Sequence, residues 1–285
     1  MHNAMRAEQI SFSRLVQQQR TLPARLADSH KGDFGHVLVL GGNVGFGGAA
    51  LLASEAALRT GAGLVSCALQ ADYVGALLSR CPSVMARAVQ SGLEVQPLLE
   101  RATVLAVGPG LGQDGWAELL LQQALNCSLP MVLDADGLNI LAKPNWQQRF
   151  DGRTVVLTPH AAEAARLLNC TVTEVQQDRS QAALELAQCY QALVVLKGKN
   201  TIVAAPDGRL AVCQDGNAGM STGGMGDVLT GVIAALLAQH AQAWDAVCLG
   251  VCLHSHAADV QAEQLGMRGL LASDLFASIQ RLNNV

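Results

Sequence analysis

A chain of 285 residues, half of them hydrophobic, 15% charged and 4% aromatic, can bury a sizeable core resting on Ala, Leu and Val, which is the profile of a compact α/β enzyme. Its formal charge of −4 supplies no broad positive field for nucleic acid or an anionic membrane, so any phosphate must be held locally. The opening MHNAMRAEQISFSRLVQQQR has no apolar run of secretory length, no later stretch offers the roughly 20 apolar residues of a membrane span, and a cytosolic location follows by default.

Residues 1–30 read as a polar, loosely attached lead, and residues 31–285 as one domain, since no repeat or Pro/Ser-rich linker divides them. Beyond the lead, short β-branched or Leu-rich runs alternate with Ala-rich stretches, as in a parallel sheet. His36–Leu40, Leu64–Ala68, Thr103–Val107, Met131–Leu133, Thr154–Leu157 and Leu193–Leu196 are the predicted strands, buried on both faces. Gly48–Arg59, with Leu51, Leu52, Ala56 and Leu58 and a stop at Gly61, is a predicted helix. Helices are expected on both faces of the sheet. Thr201–Ala205 and Leu210–Gln214 flank Pro206-Asp207-Gly208 as an antiparallel hairpin, and helices near Asp227–Gln239, Trp244–Gln264 and Ser273–Leu282 close the chain.

The eight cysteines form no CxxC pair and read as reduced, mostly buried thiols. Cys248, Cys252 and His256 recur every fourth residue and share one helix face, but one face supplies too few ligands for a closed tetrahedral site. With Val247, Leu249, Val251 and Leu253 around them they read as core, and no metal ligand is assigned.

Ligands of such sheets gather at the carboxyl ends of the strands. Five segments there are rich in glycine or polar groups: 41–48 (GGNVGFGG), 108–112 (GPGLG), 134–139 (DADGLN), 158–163 (TPHAAE) and 197–201 (KGKNT). A sixth, Asn217 to Asp227 (NAGMSTGGMGD), runs straight into an apolar helix. Its glycines let successive N–H groups turn toward one anion, and the helix dipole adds to the attraction, so Gly223, Gly224, Met225 and Gly226 form a predicted phosphate cradle. Asp227 at its edge either caps the helix or accepts the proton of a hydroxyl attacking a phosphoryl group. The 41–48 turn lacks the G-x-G-x-x-G spacing, and no acidic residue closes the second strand, which argues against a Rossmann dehydrogenase.

Taken in order, Lys31-Gly32-Asp33-Phe34-Gly35-His36, Gly-Pro-Gly-Leu-Gly at 108–112, Leu133 to Asn139, Leu157-Thr158-Pro159-His160 with Glu163, and Lys197-Gly198-x-x-Thr201 resemble the motifs of NAD(P)H-hydrate dehydratases, and the late Gly-rich segment resembles the anion hole of ribokinase-like enzymes. The resemblance runs from about residue 30 to the end. It departs from the family at Ala161-Ala162, where Pro-Gly is usual before the Glu, and in having a short lead where many members carry an upstream epimerase domain; dehydration alone is expected of this chain.

The resemblance implies a ribokinase-like fold and an enzyme that uses ADP, or in some relatives ATP, with Mg²⁺, to dehydrate the S epimer of hydrated NADH or NADPH (NADHX, NADPHX), yielding the reduced cofactor, AMP and phosphate. It assigns Asp227 as general base beside the anion hole. Lys197, Gly198, Lys199, Asn200 and Thr201, with Gly226, would bind ADP. Gly48, Ala49, Ala50, Gly110, Gly112 and His160 would bind the hydrated dinucleotide, His160 having a helix-capping alternative. Asp134 and Asn139 would position metal-bound water or the dinucleotide phosphates, or else fix the strand-to-helix turn. A homo-oligomer, up to a tetramer, is expected. The rivals are a ribokinase-like kinase of a vitamin-precursor alcohol, opposed by the motifs at 31–36 and 157–163, and a non-catalytic nucleotide sensor, which has no need of Asp227.

Overall fold

The alternation of apolar and Ala-rich stretches takes shape in a computed structural model that describes residues 7–239 and 242–284. In chain order these residues form β1 (Glu8–Ile10), α1 (Phe12–Gln17), β2 (His36–Leu40), α2 (Gly47–Arg59), β3 (Leu64–Leu69), α3 (Val74–Arg80), β4 (Met85–Ala88), α4 (Gly92–Leu99), β5 (Val104–Val107), α5 (Gly115–Asn126), β6 (Met131–Leu133) and α6 (Ala135–Leu141). They continue with β7 (Val155–Leu157), α7 (Ala161–Leu168), α8 (Val172–Gln177), α9 (Arg179–Tyr190), β8 (Leu193–Leu196), β9 (Ile202–Ala204), β10 (Leu210–Cys213), α10 (Met225–Gln239), α11 (Ala243–Leu265) and α12 (Leu275–Leu282).

Among the described residues ten strands make one sheet, in the order β1-β10-β9-β8-β7-β6-β5-β2-β3-β4. Every pairing is parallel except those of β9 with β8 and β10, so the predicted hairpin supplies the one strand that opposes the rest. Side chains alternate between faces along each strand. Val37, Val39, Val104, Ala106, Val132, Val156 and Val195 face a layer built from α2, α10 and α11. Leu38, Leu40, Leu105, Val107, Met131, Leu133 and Leu157 face α5, α6, α7 and α9. Both faces being covered, the strands read in sequence as unbroken apolar runs. Each fully buried Leu contributes about 1.5–3 kcal/mol. Helices α2 and α10 lie so close that a Cβ on Gly231 would stand 2.1 Å from the Ala53 carbonyl oxygen.

The lead is tied in more firmly than its polarity suggests. Ile10 pairs with Cys213 across β1 and β10, Phe12 and Leu15 are buried, and Arg20 bridges Glu8 at 2.7 Å and Asp245 at 2.8 Å. A strand of three residues, one of them apolar, leaves no periodic signal. Residues 1–6 of the lead lie outside the described residues. No helix among the described residues is long and apolar enough to cross a membrane.

Candidate active site

Five loops leave the carboxyl ends of parallel strands β2, β5, β6, β7 and β8, and α10 starts beside them. Backbone bonds lace these segments together: Asn43 N–H donates to the Gly110 carbonyl (2.7 Å), Asp134 N–H to that of Val107 (2.9 Å), Thr158 N–H to that of Leu133 (3.1 Å) and Lys197 N–H to that of Pro159 (2.8 Å). The five Gly-rich or polar segments therefore share one edge of the sheet.

At the start of α10, Val228 N–H is the first to join the helical ladder, donating to the Gly224 carbonyl at 3.0 Å. The N–H groups of Met225, Gly226 and Asp227 precede it and have no acceptor within the helix. Gly224 turns the chain with φ +91°, and a Cβ there would meet Leu52 Cδ1 at 2.6 Å, so a side chain is excluded on two counts. Gly223 opens onto free space, and a Cβ on Gly226 would reach 3.2 Å from Lys197 Nζ. The result is an open, positively polarised cradle at the end of a 15-residue helix. From α11, buried His254 stands by the Met225 backbone; burial lowers its pKa to about 4, so the ring behind the cradle is neutral.

Under the cradle lies a buried polar cluster. Lys197 Nζ donates to Asp134 Oδ1 at 2.6 Å and lies 3.9 Å from Glu163 Oε2. Thr158 Oγ1 donates to the same Asp134 oxygen at 2.8 Å and Thr230 Oγ1 to the other at 2.9 Å. Burial opposes the charge of Lys197, but Asp134, Glu163 and Asp227 outweigh it and hold its pKa above the ordinary range. Glu163 is itself raised by burial, with Lys197 pulling the other way. Asp227, half-buried, is pushed up from 3.8 to about 7, first by burial and then by the charge of Asp134, with Lys197 opposing. A carboxylate titrating near neutrality is matched to taking a proton.

A concavity of about 860 Å³ lies elsewhere. Leu22, Arg25, Phe34, Arg59 and Gln239 line it at the amino ends of the strands, and it contains none of the residues above.

The profile of the NAD(P)H-hydrate dehydratase family matches residues 37–281. The chain belongs to this family. It is 48% identical over 263 residues to a bifunctional NAD(P)H-hydrate repair enzyme of Coxiella burnetii, covering 92% of this chain and 53% of the relative, so the chain spans about half the length of that protein. It is 40% identical over 265 residues to the ADP-dependent (S)-NAD(P)H-hydrate dehydratase of Neisseria meningitidis, covering 92% and 89%. The ADP/ATP-dependent NAD(P)H-hydrate dehydratase of Bacillus subtilis, co-crystallised with ATP and Mg²⁺, superposes with a TM-score of 0.85 at 30% identity over 98% of each chain. The ribokinase-like fold expected from the sequence is thus shown.

The dehydratase motifs fall into place unevenly. Asp227, Gly223 to Gly226 and Lys197 converge as described. Gly48 has nothing within 4 Å of a would-be Cβ, so the start of α2 presents open backbone at Gly48 and Ala49 while Ala50 packs inward at 0% exposure. Gly110 approaches the Phe46 carbonyl, and Gly112 N–H donates to Asp136 Oδ2 at 2.9 Å. His160 caps α7: Nδ1 accepts from the Ala162 and Glu163 N–H groups while Glu163 Oε2 accepts the His160 N–H, a reciprocal box that keeps the family's His and Glu working without its Pro-Gly.

Asp134 makes no side-chain cap bond at the turn; it is buried at 1% exposure and takes three donors on its oxygens. It anchors Lys197. Asn139 donates to Asp136 at 3.3 Å and accepts from Arg166 at 3.0 Å. Gly198 to Thr201 form a tight loop in which Thr201 Oγ1 donates to the Gly198 carbonyl at 3.0 Å and Arg179, from α9, donates to the carbonyls of Leu196, Lys199 and Asn200. Thr158, Thr230 and Arg179 had no assigned role in the sequence. Thr230 alone had a cue, lying one helical turn after Asp227 on the same face.

Proposed function

We propose that this chain uses ADP to dehydrate the S epimer of hydrated NADH or NADPH, releasing the reduced cofactor, AMP and phosphate. The observation that carries the reading is Asp227: a half-buried carboxylate with a pKa of about 7, one residue beyond Gly226 at a helix start with free N–H groups, in a chain of this family. The N–H groups of Gly223 to Gly226 hold the transferring phosphoryl group as charge develops on it. Asp227 accepts the proton of the hydrate's hydroxyl as its oxygen bonds to the terminal phosphorus of ADP and AMP departs. Hydroxide is a poor leaving group; phosphate then leaves the ring with its C–O electron pair, assisted by the ring nitrogen's lone pair, and loss of a ring proton restores the reduced nicotinamide.

Lys197, held upright by Asp134, faces the nucleotide phosphates across Gly226, and the 198–201 loop braced by Arg179 follows the rest of the nucleotide. The opposite side of the cleft, Gly48 to Ala50 with Gly110, Gly112 and the exposed face of His160, takes the hydrated dinucleotide. The donor set suits magnesium brought in on the phosphates: Asp227 is the one acid of the cluster whose carboxylate accepts no hydrogen bond among the described residues, whereas Asp134 and Asp136 are engaged. That ion would supply charge neutralisation between neighbouring phosphates. A cytosolic homo-oligomer completes the reading.

The test incubates the protein with enzymatically prepared NADHX or NADPHX and either ADP or ATP, following the return of reduced-nicotinamide absorbance and the appearance of AMP. Absorbance returning only with added nucleotide supports the reading; none with either nucleotide rejects it.

A further inference from the structure

The sequence offers Cys252 and His256 on one helix face, too few donors for a metal. The fold adds the missing ones. Sγ of Cys213, the last residue of β10, stands 3.6 Å from Sγ of Cys252 on α11, and both thiols are buried. A carboxylate oxygen of Asp215 joins them with all three donor atoms within 4.8 Å of one another. A second group, sharing Asp215, gathers His256 and Asp259 within the same limit. Cys252, His256 and Asp259 are spaced i, i+4, i+7 and so project from one side of α11.

We propose that Cys213, Cys252, Asp215 and His256 form a zinc site that staples the outer part of the sheet to α11. Two thiolates, an imidazole and a carboxylate from two elements are a borderline-soft tetrahedral set suited to zinc. With Zn–S bonds of about 2.3 Å the edge between two sulfurs of a tetrahedron is about 3.8 Å, close to the separation already present. The carboxylates of Asp215 and Asp259 share one small volume in which the imidazole is the sole cationic candidate of the two groups, so a divalent ion relieves their repulsion.

The surroundings are organised as an outer shell. Phe12 N–H donates to Asp215 Oδ2 at 2.6 Å, and the Phe12 ring stacks on His256 at 5.3 Å. Asp259 accepts from Gly216 N–H and Asn217 Nδ2, both at 2.8 Å, leaving it beside His256 as the carboxylate that orients a ligating imidazole. Asp215 belongs to both groups, so the sulfur pair and the His256 imidazole flank one shared carboxylate. Each coordinating thiol gives its proton to solvent, so binding releases two protons per zinc. Asp215 precedes Gly223 by eight residues, and Asn217 caps the turn Ala218–Met220 between them, so the ion would also fasten the segment that leads into the cradle.

Cobalt reports the site directly. Metal-free, reduced full-length protein titrated with Co²⁺ under anaerobic conditions is expected to take up one equivalent with sulfur-to-cobalt charge-transfer bands and the intense visible bands of a tetrahedral ion, both erased by one equivalent of Zn²⁺. Cys213→Ser and Cys252→Ser should each lose the charge-transfer intensity and bind zinc about 100-fold more weakly or worse against a chromophoric chelator. Cys248→Ala, one turn away on the same helix, and Asp227→Asn, in the proposed catalytic cradle, should retain the wild-type spectrum, which separates this inference from the dehydratase reading. Wild-type protein without the sulfur bands, or Cys248→Ala losing them, overturns it; the wild-type spectrum decides even where a serine variant fails to fold.

Discussion

Replacing Asp227 by Asn should make the protein more stable while removing its activity. A carboxyl whose pKa rises from 3.8 to about 7 on folding binds more protons in the native state than in the unfolded one between those values. Stability therefore falls as pH rises through that window, and the full penalty is present above pH 7. At 1.36 kcal/mol per pH unit the penalty is about 4 kcal/mol, and allowing for the solvent-facing edge of the half-buried carboxylate leaves about 2–3 kcal/mol. Asp227→Asn abolishes the titration, so the variant should match wild type near pH 4 and exceed it by about 2–3 kcal/mol at pH 8. For a chain of this size that is roughly 4–6 °C in Tm. Thermal melts of both proteins at pH 4, 6 and 8 measure the difference, and turnover measured alongside should drop by about 10²–10⁴ if Asp227 is the base. A Tm offset that does not change with pH, or a variant less stable at pH 8, would refute the argument.

The same carboxylate shapes the rate profile: kcat/KM should fall about tenfold per pH unit below about pH 7 and level off above it. The acid limb of kcat should be displaced from that of kcat/KM, because bound phosphates and the ion they carry change the charge beside Asp227. Lys197→Met should destabilise by about 3–5 kcal/mol in urea titrations, since it strands the buried carboxylates of Asp134 and Glu163, and adding Asp134→Asn should recover part of the loss. His254, lowered by burial from 6.5 to about 4 and with Nε2 lacking a partner among the described residues, takes up its proton first in the unfolded chain, so stability is lost as pH falls from 6.5 toward 4. His254→Met should remove about 3 kcal/mol of that loss at pH 4, seen as a flatter acid limb of Tm against pH.

What the sequence disclosed follows from the range over which each interaction acts. Strands such as β2 and β6 appear at their observed bounds because helices on both faces demand an unbroken apolar run. The glycine cradle is legible because backbone approach to an anion needs glycine locally, within four residues of Asp227. The Asp134–Lys197 pair was hidden because its partners are 63 residues apart and each has an ordinary local explanation, a turn for the Asp and a solvated strand end for the Lys. Thr158 and Thr230 were silent for the same reason, since a hydroxyl declares a role only once its acceptor is in place. The Cys213–Cys252 contact likewise needs β10 and α11 side by side, which the every-fourth-residue spacing of Cys248, Cys252 and His256 does not reveal.

The electrostatics of the cleft present a contest whose outcome leaves the Asp227 carboxylate basic. A carboxylate in the first turn of a helix is ordinarily favoured in its charged form, by about 0.3–1 kcal/mol and up to about 2 in partly buried geometries, and Lys197 adds to that pull. Burial and the fixed charge of Asp134 act the other way and prevail. Asp134 can prevail because the Lys197 ammonium sits 2.6 Å from Asp134 and 3.9 Å from Glu163, so the attraction it exerts on Asp227 is offset by the repulsion of the carboxylates beside it. The ion pair beneath the cradle thus does two things at once. It fixes Lys197 at the phosphate edge of Gly226, and it leaves a surplus of negative charge that keeps Asp227 basic. Neutralising Asp134 would release Lys197 to Asp227 and draw the latter's pKa down, weakening the base without touching it.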